Sequence, residues 1–140
     1  MIDVPNITGN YHTNFVGKAN AALGALLGGL DYVYIHMEAP DECGHQGDLK
    51  NKIYSIEQID NVTKILTDGL EKAGEDYKIL LCPDHPTPIK LKTHVSDPIP
   101  YLLYDSTRPV QGVQKYDETH AESTGIFVEK AWELLDKLVK

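Results

Sequence analysis

Apolar residues recur at helical spacing in three stretches of the chain. In residues 14–30, NFVGKANAALGALLGGL, the pattern predicts a helix with Asn14 suited to its N-cap and the Gly28-Gly29 pair ending it. Further on, Ile53, Ile56, Ile59, Ile65, Leu66 and Leu70 fall where one face of a long helix would carry them, and Gly74 marks its end. The third stretch, Phe127, Val128, Ala131, Leu134, Leu135 and Leu138, predicts a last helix from about Gly125 to Lys140, with Trp132 as core material.

Between these lie short runs rich in β-branched, aromatic and aliphatic residues. Residues 32–37, YVYIHM, follow the Gly-Gly break directly and predict a buried central strand. Residues 77–82, YKILLC, predict a second strand that runs into PDHPTP, where Pro83, Pro86 and Pro88 forbid continued ladder pairing. Residues 99–104, IPYLLY, predict a third, weakened at its start by Pro100. Residues 2–14 read as an irregular lead-in from the middle of a fold, and residues 105–120 as a long surface loop. Strands alternating with helices predict an α/β domain with a mostly parallel sheet and helices on its faces. Ligands gather outside the carboxyl ends of such strands, and APDECGH and PDHPTP, read here as loops, each follow one.

Composition narrows the picture. The chain has 140 residues, the size of one ordinary domain, with 41% hydrophobic and 24% charged residues, as in a soluble globular protein. A net charge of -8, with 13 basic residues interspersed among 21 acidic ones, argues against a nucleic-acid surface. No apolar run approaches membrane-spanning length, so no membrane partner is expected. Cys43 and Cys82 form no CxxC pair and read as free thiols of a reducing compartment, with the cytoplasm the best fit.

The candidate chemistry is carboxylate and imidazole. Asp41 and His45 stand four apart in APDECGH, where Gly44 frees the backbone to turn both toward one ion without a helix. Asp84 and His85 are adjacent at a strand end and stiffened by Pro83 and Pro86, while His94 follows a short excursion back toward the same rim. Mixed oxygen and nitrogen ligation of this kind suits divalent Mn²⁺, Zn²⁺ or Co²⁺. Each motif alone is common by chance; their joint placement beyond apolar strands points to a metal site. Bland readings hold for the neighbours: packing for His36, a buried thiol for Cys43, solvent exposure for His12 and His120, and ordinary surface lysines for Lys90 and Lys92.

The ordered set YVYIHMEAPDECGHQGD and PDHPTPIKLKTHVSDPIPYLLY, with the upstream TGNYHTNFVGKANAAL, resembles the carboxyl-terminal part of the archaeal-type, cofactor-independent (2,3-bisphosphoglycerate-independent) phosphoglycerate mutases of the alkaline phosphatase superfamily. The resemblance implies an alkaline-phosphatase-like three-layer sandwich, of which residues 1–140 are the carboxyl-terminal portion of the metal-binding domain. It implies two divalent metal ions and no organic cofactor, with Asp41, His45 and His94 as ligands of one ion and Asp84 and His85 as two ligands of the other. It also implies that the nucleophilic serine and the inserted substrate domain are absent here, so that the chain is inactive alone. The complete glycolytic enzyme would interconvert 3-phosphoglycerate and 2-phosphoglycerate through a phosphoserine. Homoserine-kinase-like and phosphonopyruvate-decarboxylase-like relatives carry nearly the same motifs, and a noncatalytic metal-binding or interaction domain is the alternative of a different class. Apolar surface left bare by the missing pieces favours self-association.

Overall fold

A computed structural model describes residues 1–140, which divide into two compact units. The first comprises residues 1–75 and 87–94, the second residues 76–86 and 95–140.

The first unit is built on three helices. α1, Phe15–Leu27, starts where the sequence predicts, with the Asn14 side chain accepting from the Gly17 N–H at 2.9 Å. It ends where Gly29, at φ +99°, lets the Leu30 N–H return to the Ala25 carbonyl. α3, Leu49–Ala73, is capped by Asp48 at its start and by Gly74, at φ +75°, at its end. Ala19 and Ala22 keep the buried face of α1 thin where it packs on α3, and Phe15, Ala19, Ala39 and Val62 form the core, flanked by Tyr11, Met37, Ile59, Ile65 and Leu66. The predicted stripe on α3 holds only in its second half. Ile53 and Ile56 are about half exposed, while Ser55, Val62 and Leu70 are the buried positions.

Two expectations fail in this unit. Residues 32–37 are not a buried strand; they run without ladder partners, with Tyr32, Tyr34 and His36 exposed and Val33, Ile35 and Met37 half-buried. The period-2 alternation is present, but a strand also needs a neighbour to take its backbone hydrogen bonds. APDECGH is not a loop either. It forms α2, Ala39–Gln46, with Pro40 in the first turn, where its missing N–H costs nothing, and Gly47 at φ +72° closing the end.

The second unit contains the only sheet. β1, Lys78–Leu81, pairs with β2, Leu102–Asp105, in antiparallel register from Lys78↔Asp105 to Leu81↔Leu102, which corrects the expected parallel arrangement. Parallel pairing needs a crossover, usually helical, and residues 82–101 contain no helix. Pro100 delays β2 to Leu102. The Tyr116 hydroxyl reaches the Leu81 and Pro100 carbonyls at 3.3 and 3.0 Å; burial, then the neighbouring Cys82 and Glu118, push its pKa well above the usual phenol range. A separate short helix, α4, Glu118–Ser123, is followed by Gly125 at φ +66°, and of the last helix predicted from about Gly125 only α5, Glu133–Val139, forms. α5 packs on β1 and buries Leu134, whereas Phe127 and Trp132 stand exposed, the latter at 74%, so Trp132 is not core.

Candidate metal centre

Placing Asp41 and His45 on α2 puts them one turn apart on the same face. Asp41 lies in the first turn, where the positive end of the helix favours a carboxylate. His94 reaches the same point from the Thr87–His94 segment. That segment is folded back by the Leu91 and Lys92 N–H groups, both donating to the Pro88 carbonyl, and by Lys92 at φ +53°.

The ligand-capable atoms of Asp41, His45 and His94 all lie within 4.8 Å of one another. His45 Nε2 is 3.4 Å from Asp41 Oδ2, His94 Nε2 is 3.3 Å from Asp41 Oδ1, and the two Nε2 atoms are 2.9 Å apart. All three side chains keep solvent access, at 27% exposure for Asp41, 36% for His45 and 51% for His94. A carbonyl can only accept, so His45 Nδ1–H donates to the Lys92 carbonyl at 3.0 Å, and in the neutral ring Nε2 is then the acceptor that faces Asp41 and His94. An acceptor nitrogen, a second imidazole nitrogen and a carboxylate therefore converge on one point. Such a set is satisfied by a proton shared between the rings or by a cation, and its mixture of one oxygen and two nitrogens fits a borderline divalent ion.

Gly44 has a different task from the one its position suggests. It is helical, and a Cβ on it would stand 2.6 Å from the Thr87 carbonyl oxygen and 3.0 Å from Lys52 Nζ. Its bare face admits the Thr87 backbone beside α2. The Thr87 hydroxyl donates a hydrogen bond to Asp41 Oδ1. Lys52 Nζ donates to the carbonyls of Pro40, at 2.9 Å, and of Thr87, at 3.1 Å.

Asp84 and His85 sit together in the second unit, with His85 Nε2 3.4 Å from Asp84 Oδ2 and the His85 N–H donating to Asp84 Oδ1. The group of three His, Cys, Asp or Glu side chains that could hold a metal ion is Asp41, His45 and His94. Cys43 is buried, and burial pushes its thiol pKa up against the lowering effect of a hydrogen bond with Ser55, so it serves packing rather than soft-metal ligation. His36 gives its carbonyl to Lys18 Nζ at 2.7 Å. His12 is exposed as expected, but His120 is half-buried against Asp117. Sequence reasoning missed Thr87 and Lys52. Thr87 stood in the open within PDHPTP, whereas Lys52 carries no signal that separates it from a solvent-facing helical lysine.

The chain is 48% identical to a 2,3-bisphosphoglycerate-independent phosphoglycerate mutase of Methanothrix thermoacetophila, the match covering 89% of this chain and 32% of that protein. It is 45% identical to a probable enzyme of the same name from Geobacter sulfurreducens, over 99% of this chain and 35% of that one, and 44% identical to the Methanosarcina acetivorans enzyme, over 100% and 36%. The chain thus spans about a third of the length of the curated relatives it matches. Among solved structures, the PH0037 protein from Pyrococcus horikoshii superposes with a TM-score of 0.76 at 28% identity, over 86% of this chain and 36% of that one. A family model described as the Metalloenzyme superfamily matches residues 1–138, and the chain belongs to that superfamily.

Proposed function

We propose that this chain is the metal-binding part of a cofactor-independent phosphoglycerate mutase, a cytoplasmic enzyme interconverting 3-phosphoglycerate and 2-phosphoglycerate in glycolysis. The convergence of Asp41, His45 and His94, with the His45 tautomer set by Lys92, carries this reading; the relatives' names supply the reaction. In it, Asp41, His45 and His94 hold one divalent cation, and Asp84 and His85 are two ligands of a second. Residues 1–140 are the carboxyl-terminal portion of an alkaline-phosphatase-like sandwich, and the nucleophilic serine and inserted substrate domain belong to the rest of the protein. When bound, such cations supply Lewis acidity and neutralise charge on a transferring phosphoryl group. The residues of this chain contribute orientation: Lys92 aims the His45 lone pair, and α2 holds Asp41 and His45 at a fixed spacing. Partial exposure of the three side chains leaves room for a phosphorylated substrate to approach.

Calorimetric titration with Mn²⁺, Zn²⁺ and Co²⁺ tests the site. Asp41→Ala and His94→Ala are expected to weaken binding by more than the roughly tenfold to hundredfold loss that follows removal of a ligand's outer partner; His12→Ala and His120→Ala should leave it near wild type. Equal losses in both pairs would remove the ligand assignment. The chain alone should not convert 3-phosphoglycerate, and a longer form carrying the remaining two thirds should. Metal-loaded long protein that leaves 3-phosphoglycerate untouched would remove the mutase reading.

A further inference from the structure

The contacts behind Asp41 go further than the ligand set. Thr87 is 6% exposed, and its hydroxyl hydrogen is committed to Asp41 Oδ1 across 46 positions of sequence. That bond occupies one lone pair of Oδ1 and fixes the plane of the carboxylate, which would otherwise turn about its last torsion. Thr87 does not hold this position by itself. The Lys52 ammonium bridges the Pro40 carbonyl, at the start of the helix carrying Asp41, to the Thr87 carbonyl, so the two segments are tied a second time. The missing side chain at Gly44 is what lets Thr87 and Lys52 approach α2.

We propose that Thr87 is a positioning residue for the metal site, directing the Asp41 carboxylate toward His45 and His94, and that Lys52 is the tie that holds Thr87 there. This rests on the reading of Asp41, His45 and His94 as metal ligands. Thr87 and Lys52 touch no ion in this assignment; they act through Asp41.

Co²⁺ titration of the full 140-residue chain, followed by visible absorption, tests it. Thr87→Val keeps the side-chain shape and removes the donor; it should weaken Co²⁺ binding about tenfold or more and shift the ligand-field bands, as loss of an outer partner does. Thr87→Ser keeps the hydroxyl and should stay within about threefold of wild type, with an unchanged spectrum, a rescue that packing alone would not give. Thr63→Val removes a hydroxyl that serves only the Ile59 carbonyl within α3 and should change neither. Lys52→Met keeps the Thr87 side chain but removes the tie to its carbonyl, and should lower affinity in the same direction, which keeps the test decisive where Thr87→Val does not fold. Wild-type affinity and spectrum in Thr87→Val or in Lys52→Met, beside a clear loss in Asp41→Ala, overturn this inference alone. Undiminished binding in Asp41→Ala overturns it together with the metal reading.

Discussion

The unit formed by residues 1–75 and 87–94 terminates its two longer helices with side-chain caps and left-handed glycines and buries Phe15, Ala19, Ala22, Ala39, Cys43, Val62 and Leu70. The unit formed by residues 76–86 and 95–140 has a two-stranded ribbon, two helices of six and seven residues, and Leu134 as its one buried apolar side chain besides Pro100. A ribbon of this size is marginal without further packing. The difference runs parallel to the chemistry. Three ligand-capable groups meet on the unit with the larger core, while Asp84 and His85 lie on the other. Fixed donor geometry follows where the backbone beneath it is over-determined.

The sharpest way to break this comparison is to mutate one aromatic side chain in each unit. Phe15→Ala removes a nearly fully buried ring and should cost about 3–5 kcal/mol in denaturant unfolding. Trp132→Ala removes a larger ring that is mostly in solvent and should change stability by no more than about 0.5 kcal/mol. Similar losses would mean that the exposed tryptophan is covered in solution and that the second unit has a core of its own. Gly44→Ala comes next. Alanine is the better helix former, yet its Cβ would press the Thr87 carbonyl, so a net loss of about 1–3 kcal/mol is expected from overpacking, with weaker metal binding beside it. A stability gain would show that Thr87 does not lie against α2. Asn14→Ala should cost about 1 kcal/mol through the lost cap on α1, read from thermal unfolding.

What was legible in the sequence follows the range of the interactions involved. α1 and α3 could be read because Asn14, Gly28-Gly29 and Gly74 act on neighbours within a turn. α2 was hidden because Pro40 and Gly44 in so short a segment look like loop residues, although one serves the first turn and the other a close approach. Residues 32–37 have strand-like side chains, but their pairing depends on a partner segment that periodicity does not reveal. Asp41, His45 and His94 were readable from residue type and motif order. The bonds that orient them were not, since Thr87 to Asp41, Lys52 to Thr87 and His45 to Lys92 each join residues 35 to 47 positions apart.

The smallest expected effect concerns acid, and it separates the units by number of carboxylates. Asp48, capping α3, is held below the usual carboxylate range by the Asn51 side chain and N–H. Two such groups belong to the second unit: Asp105, held down by the Thr107 hydroxyl and N–H, and Asp117, held down by the His120 N–H and ring. A carboxyl whose folded pKa lies below its unfolded value, about 3.9 for aspartate, contributes stability that is complete above that value and fades as pH falls through the folded pKa. Protonation below about pH 4 therefore removes support from β2 and α4 together, against one helix cap in the first unit. Hydrogen exchange at successive pH values, corrected for intrinsic rates, should show amide protection in residues 102–107 and 118–123 falling before that of residues 55–70. Earlier loss from residues 55–70 would mean that the cap at Asp48 governs α3 and that the capped unit is the more acid-labile of the two.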